Sequence, residues 1–111
     1  MGLKTIVIGL ILGASLGCAT LTLPEIDAST LVYRGVYPCP DGPVQVHAYD
    51  QGAHVVISWQ GSPRRILWVV VQKTPRKVTQ IILDHNGRLE PLNEATLNAK
   101  YPTPCDLPRD A

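Results

Sequence analysis

Apolar and polar residues alternate along most of this chain in short runs, and turn-forming residues separate one run from the next. Runs of this length that are rich in Val, Ile, Thr and aromatic residues are typical of strands in all-β domains. The pattern predicts strands at residues 31–37, 44–49, 54–59, 65–72, 77–83 and 88–92. The expected fold class is therefore all-β, a small antiparallel barrel or sandwich of six to eight strands.

The run at residues 65–72 differs from the others because it is apolar on both faces. In the run at 44–49, by contrast, apolar positions alternate with polar ones, which indicates one buried face and one face in water. A run that is apolar on both faces predicts a central strand or a strand covered by a partner. Trp68, in this run, is therefore a candidate partner-binding residue, on an edge or face that docks another protein.

Turn and helix signals complete the pattern. Asn86-Gly87 is a strong signal for a tight hairpin, because both residues tolerate a positive φ. Residues 93–100 have helical composition, and Asn93 can cap a helix that starts after it, so one short helix is predicted near the C-terminus. The tail at 101–111 contains three prolines and is predicted to be irregular.

The first seventeen residues have the organisation of a secretory signal. Lys4 precedes an apolar run of about a dozen residues, which is shorter than the roughly 20 that a membrane-spanning helix needs. The stretch Ser15-Leu16-Gly17-Cys18 resembles the lipobox of bacterial lipoproteins. The alternative is an ordinary cleaved signal, with Cys18 lost or left as a free thiol.

The resemblance to a lipobox implies an acyl anchor on Cys18. A diacylglycerol would be linked to its sulfur and a third acyl chain to its new amino group, and two or more chains suffice for stable anchoring. Ala19 stands where an Asp tends to retain such proteins at the inner membrane, so the periplasmic face of the outer membrane is the expected location. The expected organisation is a signal peptide at 1–17, an anchor and tether at 18–30 and a periplasmic β domain at 31–111.

The chain has three cysteines, and an odd number in an exported protein needs an explanation. Lipidation of Cys18 supplies one, because it leaves Cys39 and Cys105 as a pair. In an oxidising compartment this pair is expected to form a disulfide that joins the two ends of the folded part. The alternative is two free thiols, and the absence of a Cys-x-x-Cys pair argues against a redox role.

Charge excludes one class of partner. The chain carries ten basic and nine acidic side chains, and removal of the signal takes Lys4 away. The mature protein is therefore formally neutral with its histidines uncharged. This balance argues against nucleic acid as a partner.

No motif in the sequence points to catalysis. His47, Tyr49 and His54 form the strongest candidate cluster, on the outer face of one predicted hairpin with Tyr49 opposite His54. Two histidines without a nearby carboxylate or thiolate make a weak zinc site. Ser58 and Ser62 do not lie in the sequence context of an activated nucleophile. We therefore predict no catalytic residues, no metal and no cofactor.

The stretch at residues 36–46, which contains Cys39 and the turn at Gly42, resembles the start of the membrane-bound inhibitors of C-type lysozyme. The resemblance covers the signal, the size, the pair Cys39 and Cys105, and the first third of the domain. It implies an antiparallel barrel with a disulfide that reaches the C-terminal part. The inhibitors' Ser-Gly-rich loop is not matched by the nearest stretch, residues 60–64, so no inhibitory residue is transferred.

The expected function is that of a non-enzymatic lipoprotein that binds a periplasmic or outer-membrane protein. An inhibitor or immunity protein against a wall-degrading enzyme is the most specific form, with Gly61 and Ser62 as candidate contacts in a rigid loop. The second hypothesis is a structural subunit of a secretion, conjugation or porin-associated complex. The third is a carrier of a small ligand or metal on the face of His47 and His54.

Overall fold

The computed structural model describes residues 21–109, which form a six-stranded antiparallel sheet and a short helix. The predicted signal peptide and the predicted lipidation site, Cys18, lie outside the described residues. The elements are β1 Leu31–Tyr37, β2 Val44–Asp50, β3 His54–Ser62, β4 Arg65–Gln72, β5 Lys77–His85, β6 Arg88–Leu92 and α1 Glu94–Lys100.

Each strand pairs with the next strand in sequence, so the order across the sheet is β1 to β6. The predicted all-β class, the six strands and the short C-terminal helix are confirmed. The sheet is not closed into a barrel, because β1 and β6 are its two edges and do not pair with each other. β3 also runs three residues beyond its predicted end at Trp59, so Gly61 and Ser62 belong to a strand.

One face of the sheet, which we call the helix face, packs against α1 and the C-terminal tail. Strand register places Trp59, Leu67 and Leu83 opposite one another in a row across β3, β4 and β5. Successive side chains in a strand point to opposite faces, so alternate residues build one layer. The buried core of this layer also receives Leu107 from the tail, with Leu97 of α1 packed against it.

The opposite face, which we call the open face, has no helix over it among the described residues. It nevertheless buries Val56 and Ile82, which are 2% and 1% exposed. Both residues lie on strands that have a neighbouring strand on each side, β3 and β5. β4 hydrogen-bonds to β3 on one edge and to β5 on the other, which confirms the predicted central strand.

The loop after β1 and the C-terminal tail are fastened together at one end of the sheet, the stapled end. Cys39 and Cys105 form the predicted disulfide, with a sequence separation of 66. Arg109 donates from Nη2 to the carbonyl oxygen of Gly42 at 2.8 Å and from Nη1 to that of Gly61 at 3.1 Å. The tail is therefore held by a covalent bond and by two charge-assisted hydrogen bonds.

Gln51 holds the N-terminal arm, residues 25–30, against the other end of the sheet, the arm end. Its Oε1 accepts a hydrogen bond from the backbone N–H of Asp27 at 2.7 Å, and its Nε2 donates to the carbonyl oxygen of Glu25 at 2.8 Å. The Asp27 carboxylate caps the short 3₁₀ helix Ala28–Thr30 by accepting from the N–H of Ser29. The last part of the predicted tether is thus docked on the domain.

We expect the arm and the adjacent β2–β3 turn to loosen on acidification. Hydrogen bonds from the hydroxyl and N–H of Ser29 hold the pKa of Asp27 below its ordinary value of 3.8. The hydrogen bond from Lys73, followed by that from the N–H of Gly52, lowers the pKa of Asp50 below the same value. A carboxyl group with a lowered pKa in the folded state stabilises it above the ordinary pKa, and this contribution is lost as pH falls through the folded value.

NMR titration of the amide signals of Ser29 and Gly52 checks this expectation. Both signals should move with midpoints below 3.8, and Asp50→Asn should abolish the titration seen at Gly52 while leaving that of Ser29 in place. Midpoints at or above 3.8 would contradict the two hydrogen-bonded carboxylates.

Candidate functional site

β1 carries a cluster of exposed apolar side chains. Val32 is 65% exposed, Tyr33 and Val36 are each 55% exposed, and Tyr37 is 41% exposed. Strand alternation places Tyr33 and Tyr37 on the helix face and Val36 on the open face, so apolar surface lies on both sides of the strand. Because β1 is an edge strand, its backbone also presents an unpaired row of N–H and C=O groups along its outer side.

The two edges of the sheet differ in how well they are protected. β6 is five residues long and contains Arg88, Glu90 and Pro91, all features that discourage a further strand. β1 is seven residues long, has no proline, and has Arg34 as its one charged residue. The contrast singles out β1 as the edge at which another chain can add a strand.

Gly35 allows the side chain of Tyr33 to lie along β1. A Cβ atom at Gly35 would lie 2.7 Å from Cζ of Tyr33, which is too close for a real contact. A glycine in the middle of a strand weakens it, and cover by an aromatic ring offsets part of that loss. Tyr33 is therefore held as an exposed ring beside the free edge.

Trp68, a residue predicted as a partner contact, lies on the open face in a row that crosses the sheet. Its register partners are Ser58 on β3 and Ile82 on β5, and Ser58 is in turn opposite His47. The indole Nε1 is buried and meets no hydrogen-bond acceptor among the described residues. Because both edges of β4 are occupied, Trp68 can contact a partner only through the face of the sheet and not by strand addition.

Gly61 and Ser62, the other two predicted contacts, lie at the stapled end. Arg109 covers Gly61, with its Cζ 3.4 Å from the position of a Cβ added there. Ser62 pairs with Arg65 across the β3–β4 turn. These two residues lie on β3, and β2 stands between them and the exposed apolar side chains of β1.

The predicted histidine cluster has a different register from the one expected. Tyr49 is opposite Val56 and not His54, because Asp50 pairs with Val55 and the turn is longer than predicted. The His47 and Tyr49 rings stack with centroids 6.3 Å apart. Within residues 21–109, no group of three or more His, Cys, Asp and Glu side chains is placed to hold a metal ion.

A polar chain that the sequence did not reveal crosses the stapled end of the helix face. Arg65 donates from Nη1 to Nδ1 of His85 at 2.9 Å, and Nε2 of His85 lies 2.9 Å from Oε1 of Glu90. A guanidinium can only donate, so Nδ1 of His85 is the acceptor and Nε2–H donates to Glu90. Both ring nitrogens of His85 make hydrogen bonds, and these bonds connect β4, β5 and β6. Neither nitrogen is left to take a proton from a substrate.

A small apolar cavity of about 160 Å³ lies between the helix face and the C-terminal segment. Trp59, Leu97 and Tyr101 line it, together with residues of the buried core such as Leu67 and Leu107. It is therefore a gap in the packing of α1 and the tail on the sheet. No convergent set of polar groups gives it the character of a ligand site.

No protein-family model, no curated protein and no solved structure matches this chain. The resemblance to lysozyme inhibitors therefore stays a prediction. In the part of the chain from residue 21 to residue 109, no helix has the length and apolar character needed to cross a bilayer.

Proposed function

We propose that this protein is a lipoprotein anchored through Cys18 at the periplasmic face of the outer membrane, and that its β domain binds another protein. The anchor rests on the resemblance of residues 15–18 to a lipobox, and the observation that carries the binding of a partner is the exposed apolar edge strand β1. Four of its side chains are among the most exposed large hydrophobic residues of the described chain. A free edge strand with exposed apolar side chains on both faces is suited to strand addition. In this mode of binding, backbone hydrogen bonds provide affinity and side chains provide selectivity.

The proposal specifies the backbone conformation and the side chains of the partner segment. It is an extended stretch that pairs with Leu31–Tyr37 and offers apolar side chains to both faces, because Tyr33 and Val36 lie on opposite sides of β1. An acidic residue opposite Arg34 would add selectivity, since opposite charges across a strand pair are favourable.

An inhibitor of a wall-degrading enzyme is the second form of the proposal, and the stapled end favours it. The loop after β1 is closed by Cys39–Cys105 and by the hydrogen bond of Arg109 to Gly42, so it is rigid before it meets a partner. A preorganised loop loses little conformational entropy on entering a cleft. A structural subunit of an envelope complex would instead bind its partner through β1. The exposed edge strand favours this first form of the proposal.

A lysine in β1 should abolish partner binding without unfolding the domain. Val36→Lys adds a second positive charge to β1, whose one charged residue is Arg34. The effect on the free energy of unfolding should be within about 0.5 kcal/mol, because the site is exposed. The measurement is photo-crosslinking in intact envelopes, with a photoreactive residue at position 32 of the full chain and identification of the adduct by mass spectrometry. The expected result is one adduct, lost in Val36→Lys.

Pro91→Lys on the other edge of the sheet is the matched control, and it should leave the adduct unchanged. A crosslinker at position 91 should give no adduct. Equal adducts from positions 32 and 91 would overturn the proposal of a β1 site. An adduct with a second copy of this chain would replace the proposed partner by self-association.

A further inference from the structure

The docked arm limits how the domain can sit on a membrane. The side chain of Gln51 makes hydrogen bonds to the arm at two backbone positions, the N–H of Asp27 and the carbonyl oxygen of Glu25. Thr30 adds a hydrogen bond from its hydroxyl to the carbonyl oxygen of Asp27. The chain is thus attached to the arm end of the sheet at Glu25, six residues before the start of β1.

The remaining length of chain is short. Seven residues lead from Cys18 to Glu25, and a fully extended chain covers at most about 3.3–3.6 Å per residue, so the span is at most about 25 Å. Strands β3 and β5 have nine residues each, which gives the sheet a length of about 30 Å from the arm end to the stapled end. The tether is therefore shorter than the domain.

From this comparison we infer that Gln51 keeps the domain from inverting on the bilayer, so that the arm end stays toward the lipid and the stapled end away from it. The inference rests on the proposed anchor at Cys18. Turning the stapled end to the membrane would move Glu25 at least about 30 Å from the surface, beyond the reach of the docked tether. With the arm released up to Leu31, thirteen residues would reach about 45 Å, and the domain could invert.

The orientation assigns a role to each part of the surface. The β2–β3 turn and the β4–β5 turn meet at the arm end, where the N–H of Lys73 donates to the carbonyl oxygen of Ala53. These two turns face the lipid. The disulfide and the β5–β6 turn at Asn86-Gly87 face the periplasm, and β1 runs between the two ends.

Energy transfer from the domain to the membrane tests this orientation. The full chain, lipidated in a bacterial host, is reconstituted in vesicles of phosphatidylethanolamine and phosphatidylglycerol that contain an acceptor-labelled lipid. A donor dye is placed on Thr74→Cys at the arm end or on Arg88→Cys at the stapled end, both exposed. Transfer should be several-fold stronger from position 74 than from position 88. Gln51→Ala should reduce this difference, because it frees the arm.

Gln72→Ala is the matched control, since it removes a hydrogen bond from a side-chain amide to Pro75 at the same end without touching the arm. It should preserve the difference between the two positions. Equal transfer from positions 74 and 88 in vesicle-bound protein would overturn the orientation and leave the anchor intact. Failure of the protein to float with the vesicles would instead overturn the anchor at Cys18, and the orientation with it.

Discussion

Replacing Cys39 and Cys105 together by serine should lower the free energy of unfolding by about 4 kcal/mol. The disulfide joins residues with a sequence separation of 66, and in the chain-entropy description a loop of this size strongly restricts the unfolded chain. A domain of this size has a total stability of about 5–15 kcal/mol, so the loss would consume a large share of it. The midpoint of thermal unfolding should fall by about 20 °C.

Urea unfolding at equilibrium, followed by tryptophan fluorescence, measures this effect. The natural sequence under reducing conditions is the control, because it removes the same bond without changing a side chain. The reduced protein and the double-serine variant should agree. A loss below about 1 kcal/mol in both would show that the tail is held mainly by Leu107 and Arg109 and not by the disulfide.

Truncation of neighbouring core residues on opposite faces of β5 should be almost equally destabilising. Leu83 lies under α1 and the tail on the helix face, and Ile82 lies on the open face, yet each is 1% exposed. Leu83→Ala and Ile82→Ala should each lower the free energy of unfolding by about 3 kcal/mol, within the usual range for deletion of a buried branched side chain. Equal effects would show that the sheet alone packs its open face.

The same urea experiment compares the two variants, with Val32→Ala as the exposed control. Val32 is 65% exposed on β1, so its truncation should change stability by less than about 0.5 kcal/mol. If Ile82→Ala lost no more than this control, the open face would not be packed in the isolated protein. That face, with Trp68 at its centre, would then be a second surface in need of a partner.

The strands could be predicted from the sequence because the turn-forming and capping residues lie between runs whose apolar positions are the ones buried in the sheet. The turn at Asn86-Gly87 adopts the positive φ angles that its residues suggest, and Asn93 caps α1 by accepting from the N–H of Thr96. Apolar character on both faces of the run at residues 65–72 correctly predicted a central strand. Whether the sheet closes on itself could not be predicted, because closure depends on twist and on long-range pairing that no local pattern encodes.

The candidate site was predicted less well than the fold. The run Leu31–Tyr37 also has apolar residues on both faces, and its exposure was missed because no local pattern in the run marks it as an edge strand. The first strand of a sheet built from consecutive hairpins is an edge strand, and this rule was the available signal. The hydrogen bonds of Gln51 to the arm could not be foreseen, because its partners are backbone groups 24 and 26 residues away.

The order of the strands also has a consequence for how fast the protein folds. Every strand pairs with its immediate neighbour in sequence, so each pairing closes a short loop, and such topologies fold faster than those with distant pairings. The sheet can assemble hairpin by hairpin, from β1 to β6. Cys105 and Arg109 attach the tail to the β1–β2 loop, and their partners in that loop are 66 and 67 residues away along the chain. We therefore expect the tail to be attached last. Folding speed should therefore depend on the hairpins, and the lifetime of the folded state on the tail.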